Sequence, residues 1–211
     1  ICPLGDKVIY AVPGVPFEMK MMVNECILPD MKKRAGLTAI IKSRVLKTWG
    51  QTESGLDEML TERMAYLDEV GGATIAFQAS GIEGLKVRIT VKAGSEQEAE
   101  KALSDEEKAV REIIGEFVFG TDEETMESVV LDMLRQRNLT LAIAESVTGG
   151  MVGARLTSVP GSSDVLKGSI VAYASEIKYN ILKVPEGPVV TPDAARAMAE
   201  GARNALGADV G

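Results

Sequence analysis

The chain reads as an α/β protein of several domains. A small α/β middle domain is followed by a layered α/β sandwich, and the whole is truncated at both ends. Three observations predict this. Strand-like and helix-like periods alternate along most of the 211 residues, the pattern of helices packed on sheets. Proline and glycine clusters divide the alternation into residues 1–35, 36–120 and 121–211. The acid surplus is local: eleven acids face three bases between Gly94 and Thr125, enough to account for the net charge of −8. The chain opens on Ile1 and closes on Asp209-Val210-Gly211, which reads as the start of a strand, so an internal piece of something longer is expected.

Residues 1–35 hold four of the eight prolines. A short buried strand is expected over 8–12. Val12-Pro13-Gly14-Val15-Pro16 must then turn, because prolines cannot donate to a ladder. Phe17, Met21, Met22, Cys26 and Ile27 form an apolar stripe that predicts a helix over 17–28, stopped by Pro29. This is the strand–loop–helix end of an α/β domain.

In the middle segment, 38–49 is a β-rich run. Residues 52–66 place Leu56, Met59, Leu60 and Met64 at helical spacing. Residues 73–79 and 85–93 are strands, the second alternating as Leu85, Val87, Ile89, Val91. Ser95 caps an acidic helix to about Gly115, with a solvated acidic face, and 117–119 is a possible last strand. The order βαββα predicts a small sheet with helices on one face. Gly81-Ile82-Glu83-Gly84 matches the backbone clamp of RNA-binding KH modules. It links two strands here and carries an acid, so it is read as a hairpin turn.

In the last segment, Thr121 with Glu124 reads as a capping box, opening a helix through Val129, Val130, Met133 and Leu134 that Asn138 ends. Residues 139–144 are a buried strand, and Thr148 or Gly149 starts the next helix. Residues 169–173 form a strand and 175–182 a short helix. Thr191-Pro192 caps a helix that runs to Leu206 and is terminated by Gly207.

Composition narrows the chemistry. The chain has no histidine, which removes Ser–His–Asp and Cys–His catalysis in cis. With 2 cysteines it supplies neither mixed thiolate–imidazole nor all-thiolate zinc sites, so no metal site is expected. Two cysteines are too few for a disulfide scaffold, which points to a reducing cytoplasm. No apolar run nears the roughly 20 residues of a membrane span. The acidic surplus argues against nucleic acid as partner.

The most informative run is Ala144-Glu145-Ser146-Val147-Thr148-Gly149-Gly150, after a buried strand and before a helix. A hydroxyl there can be a nucleophile, with helix-start N–H groups as oxyanion donors. Alone, a strand–Ser–Gly turn is equally a structural feature. Tyr173, Ser175 and Lys178 follow the next strand, and Ser175 and Lys178 stand three apart on one helix face. The companion signatures of penicillin-recognising Ser-x-x-Lys enzymes are absent. So is the glycine fingerprint of short-chain dehydrogenases. A surface role for Lys178 remains open at this point. Val159-Pro160-Gly161-Ser162-Ser163 is a turn rich in hydroxyls.

These stretches together, Ala-Glu-Ser-x-Thr-Gly-Gly, Thr157 to Ser163 and Tyr173-x-Ser175-Glu176-x-Lys178, resemble the C-terminal domain of the CinA competence/damage-inducible family. Val12-Pro13-Gly14-Val15-Pro16-Phe17-Glu18-Met19 resembles the end of that family's molybdopterin-binding-like domain. Residues 36–120 fall where the family carries a small linking domain. Val147 stands where family members often have cysteine. The resemblance implies nicotinamide-nucleotide amidase activity: nicotinamide mononucleotide hydrolysed to nicotinate mononucleotide and ammonia in pyridine-nucleotide salvage, without a cofactor. It maps the catalytic set onto Ser146, Tyr173 and Lys178. Glu145, Thr148, Gly149, Gly150, Arg155, Ser162, Ser163 and Ser175 become candidates for binding the nucleotide substrate, and homodimers are expected. A non-catalytic nucleotide-binding protein is the alternative. ADP-ribose pyrophosphatase activity, in the family's N-terminal domain, is not expected of these residues. Turnover by these 211 residues alone is not expected either.

Overall fold

The computed structural model describes residues 1–211 apart from Asp6, Leu37, Thr38 and Ser80. It contains a two-stranded, a four-stranded and a second two-stranded sheet, with helices packed on the last two.

The N-terminal segment departs most from the sequence reading. β1 (Cys2–Leu4) and β2 (Lys7–Ile9) form an antiparallel hairpin that is largely exposed, not one buried strand over 8–12. The helix does not stop at Pro29. α1 (Pro16–Met22) runs into a π-helical turn (Val23–Ile27) and on into α2 (Leu28–Ala35). Proline lacks the amide of a helix interior. Here it stands at the start of α2, just after a wider turn in which the Leu28 amide donates to Val23 O, five residues back. No residue of these helices is buried.

The middle unit is a four-stranded antiparallel sheet in the order β4-β5-β3-β6, from β3 (Ile40–Thr48), β4 (Ala73–Ala79), β5 (Leu85–Ala93) and β6 (Val118–Thr121). The Thr38 end of the expected run lies outside the described residues. α3 (Glu53–Val70), capped by Thr52, and α4 (Glu96–Ile114), capped by Ser95, bear on one face of the sheet. Leu46, Leu56, Leu60, Val87, Ile89, Val91, Leu103, Val110 and Ile114 make the core between them. The acidic face of α4 is less solvated than the sequence suggests. Glu106 is buried and holds Arg63 through two of its nitrogens, Nε at 2.9 Å and Nη2 at 2.5 Å. Glu107 and Glu100 reach across to Arg44 on β3.

The Thr121 amide donates to Glu124 Oε2, as a capping box expects, but its hydroxyl donates to the same oxygen rather than accepting from the Glu124 amide, and Thr121 does not open a helix. It stays in β6, paired with Leu46, and Asp122 is also tied to β3 through Val45. The helix start falls to Thr125 and Ser128, which form the capping box of α5 (Met126–Arg137).

The C-terminal unit is built on two parallel strands, β7 (Leu141–Glu145) and β8 (Leu166–Val171). β7 alternates: Leu141 and Ile143 join a cluster with Leu131, Leu134, Leu156 and Leu166, while Ala142 and Ala144 join Leu182, Val184, Met198 and Ala202. The first cluster belongs to α5 and α6 (Met151–Thr157). The second belongs to α7 (Ser175–Asn180) and α8 (Pro192–Leu206). Helices thus lie on both faces of the sheet. Val210 forms a parallel bridge with Leu141 on β7, in keeping with a strand opening there.

Candidate active site

Parallel α/β sheets place ligands at the carboxyl ends of their strands. Ser146 stands one residue past β7. The Ala172 amide donates to Glu145 O at 2.8 Å, so Ser146 and Tyr173 leave the sheet side by side from neighbouring strands. The turn after β7 is tight: the Gly149 amide donates to Ser146 O at 3.0 Å, and Gly149 and Gly150 take φ of 60° and 103°. Those left-handed angles favour glycine. They delay the helix to Met151, later than the expected Thr148 or Gly149 start.

Glu145 anchors this turn. It is 3% exposed, and its carboxylate accepts from the amides of Gly150 (3.0 Å), Val152 (3.0 Å) and Gly153 (2.8 Å) and from Ser169 Oγ (2.9 Å). Burial pushes its carboxyl up, but the Gly153 amide, the Thr148 hydroxyl, the Val152 amide and the Ser169 hydroxyl outweigh it and hold the pKa down at about 2. The α6 amides are therefore satisfied from inside the fold. Of the three amides expected to support an oxyanion, Gly149 and Gly150 are already engaged. Only that of Thr148 lacks a partner among the described residues. Glu145 is placed to position the turn rather than to meet a ligand.

Lys178 is not a surface lysine. It is 3% exposed, and its Nζ donates to Ala172 O (2.6 Å) and Tyr173 O (3.0 Å), the carbonyls just past β8. Among the described residues no carboxylate lies within ion-pair distance of it. Tyr173 is 73% exposed, and its phenol and the Ser146 hydroxyl have no hydrogen-bond partner among the described residues. Ser175 is exposed in the first turn of α7 and does not share the buried position of Lys178.

Other candidates fall elsewhere. Ser162 and Ser163 sit in a 3-10 turn (Ser162–Asp164) before β8 begins, at the opposite end of that strand from Tyr173. At about 3.3 Å per residue the separation is roughly 20 Å. Arg155 is ion-paired with Glu127 and lines a groove facing the middle unit. Gly153 and Ser169 complete the Glu145 anchor and escaped the sequence reading. A Cβ on Gly153 would stand 2.9 Å from Ser169 Cβ and 3.2 Å from Glu145 Oε1. The only sequence sign of that close approach is a third glycine soon after Gly149-Gly150.

Fold and site together define a class: an α/β protein with a serine and a buried lysine at adjacent strand ends of a parallel sheet. Residues 123–211 match the family model of the CinA C-terminal domain, and residues 43–120 match that of the damage-inducible protein CinA KH domain. CinA-like proteins of Frankia casuarinae and of a Synechococcus species are 45% and 43% identical to it over 99% of this chain, which covers 49% and 50% of theirs. The chain belongs to the CinA family, and it spans about half the length of the curated relatives it matches. A crystal structure of a CinA superfamily protein from Escherichia coli is 27% identical, with a TM-score of 0.39, covering 39% of this chain and 51% of that one. The KH match corrects the reading that set such a module aside, although Gly81-x-x-Gly84 does link two strands, β4 and β5. Among the described residues no helix is long and apolar enough to cross a membrane.

Proposed function

We propose that the protein hydrolyses the carboxamide of a nicotinamide nucleotide, releasing ammonia and leaving the nicotinate nucleotide. The observation that carries this reading is the pairing of the Ser146 turn with the buried Lys178 amine at the ends of β7 and β8.

A neutral amine has two N–H bonds and one lone pair. The carbonyls of Ala172 and Tyr173 fix Nζ in place, and as general base Lys178 acts in its amine form, through that lone pair. Ser146 Oγ attacks the carboxamide carbon and its proton passes to Lys178. The C–N bond then breaks, the proton leaves with ammonia, and Ser146 is acylated. Water cleaves the ester by the same route in reverse. Amide and water become carboxylate and ammonium, with no cofactor. The exposed Tyr173 phenol relays the proton or orients the substrate, and the Thr148 amide supports the oxyanion. Glu145 and Ser169 hold the turn. We further propose a homodimer, acting in the cytoplasm on a small nucleotide rather than on nucleic acid.

The test is ammonia release from nicotinamide mononucleotide by the full-length protein. Ser146→Ala and Lys178→Met each lower kcat by at least about 10³, with little change in nucleotide binding. Turnover by Ser146→Ala near that of the wild type sinks the assignment. Saturable binding without product favours a nucleotide-binding protein instead.

A further inference from the structure

A groove of about 920 Å³ runs between the middle and C-terminal units. On one side stand Lys47, Trp49, Phe119 and the Gly81–Gly84 loop, and on the other Met126, Met151 and Arg155. Small-molecule sites fall between a few hundred and about 1,000 Å³. We propose that this groove binds a small aromatic anion, a flat ring bearing a phosphate or a carboxylate, held by Lys47 and stacked against Trp49 and Phe119.

Lys47 carries the inference. It is only 8% exposed, yet its ammonium has neither hydrogen bond nor ion pair among the described residues. The other buried charged groups are partnered: Glu106 by Arg63, Glu145 by amides and a hydroxyl, Lys178 by two carbonyls. Among the described residues no fully buried side-chain polar atom is left without a partner, so Nζ is not sealed in. It opens onto the groove it lines. Desolvating a charge without a partner is costly, so a site that does so favours an incoming anion.

The backbone builds the site. The β3–β6 register slips at Lys47 and Thr48: Lys47 pairs with Gly120 and Thr48 with Val118, leaving Phe119 as the extra residue of a bulge. Bulges re-aim side chains, and this one turns Phe119 to the groove beside Lys47. Gly84, at φ 81°, lets the hairpin lie against β3: a Cβ there would stand 2.3 Å from Thr48 O and 3.1 Å from Trp49 Cε3. Trp49, Ile82 and Met151 remain 55%, 65% and 57% exposed, an apolar wall left open. Two of the carboxylates at the groove are matched, Glu83 by Lys86 at 2.8 Å and Glu127 by Arg155, while Glu123 lies exposed at its rim. The unmatched charge inside is positive.

Trp49 is the only tryptophan, so its emission reports occupancy directly. The full chain is titrated with adenosine 5′-monophosphate and with benzoate, and with adenosine and inorganic phosphate as single-part probes, with calorimetry in parallel. We expect a saturable change in Trp49 emission with an aromatic anion, at least about tenfold tighter than with either adenosine or phosphate. A stronger response to adenosine 5′-monophosphate identifies the phosphate source, and a stronger one to benzoate the carboxylate. Lys47→Met weakens binding at least about tenfold, Lys47→Arg restores most of it, and neither changes Tm. No saturable response to either aromatic anion overturns the proposal. So does equal binding by Lys47→Met, by adenosine alone or by phosphate alone.

Discussion

Replacing Glu145 by glutamine tests the anchor beneath the candidate nucleophile. Glu145→Gln keeps the shape of the side chain and removes its charge. The carboxylate accepts from the amides of Gly150, Val152 and Gly153 and from side-chain hydroxyls, and an amide side chain offers one acceptor oxygen and turns an NH2 donor against donors. The magnitude follows from the carboxyl's titration. Its pKa is about 2 in the folded chain against 4.5 for a free glutamate, a difference worth about 3 kcal/mol at roughly 1.4 kcal/mol per unit. Because the folded value is the lower one, this stability is full above pH 4.5 and is lost as pH falls towards 2. Urea unfolding followed by far-UV circular dichroism should show wild type more stable than Glu145→Gln by about 3 kcal/mol at neutral pH. The gap should narrow steadily below about pH 5. Hydrogen exchange should speed up at the Gly150, Val152 and Gly153 amides. A gap below about 0.5 kcal/mol, or one indifferent to acid, would refute the argument.

Two other substitutions probe the middle unit. Gly84→Ala places a Cβ 2.3 Å from Thr48 O at a left-handed φ, so it should cost about 1–3 kcal/mol in urea unfolding and shift the emission of Trp49, whose ring it also crowds. Arg63→Met leaves Glu106, 4% exposed, without its cation, and should destabilise by about 3–5 kcal/mol; Arg63→Met combined with Glu106→Leu should recover most of that loss.

Much of the fold was legible because short-range chemistry writes it. Strands 73–79 and 85–93 match the structure residue for residue, since period-two alternation and a glycine-bounded turn leave little choice. Thr191-Pro192 and Gly207 bounded α8 as expected, because cap and terminator act within a few residues. Pro29 misled because a π turn before it lets the helix continue, an accommodation that no local pattern announces. Thr121 and Glu124 misled for a different reason. Their hydrogen bonds are real, but pairing with Leu46, distant in sequence, keeps Thr121 in a strand.

The candidate site divides along the same line. The sequence by itself determined that these 211 residues supply no histidine, that Ser146 opens a glycine turn after a buried strand, and that Tyr173 and Lys178 follow the next strand. Residue type and local spacing fix such features. Only the tertiary structure decided that β7 and β8 are parallel neighbours, so that their ends bring these residues together, and that Ser162 and Ser163 lie at the far end of β8. It also decided that Glu145 faces inward to the α6 amides, that Lys178 is buried against two carbonyls, and that Lys47 is buried with no partner among the described residues. Burial and partnership depend on what packs from elsewhere in the chain, and neither is written in a residue's own neighbours.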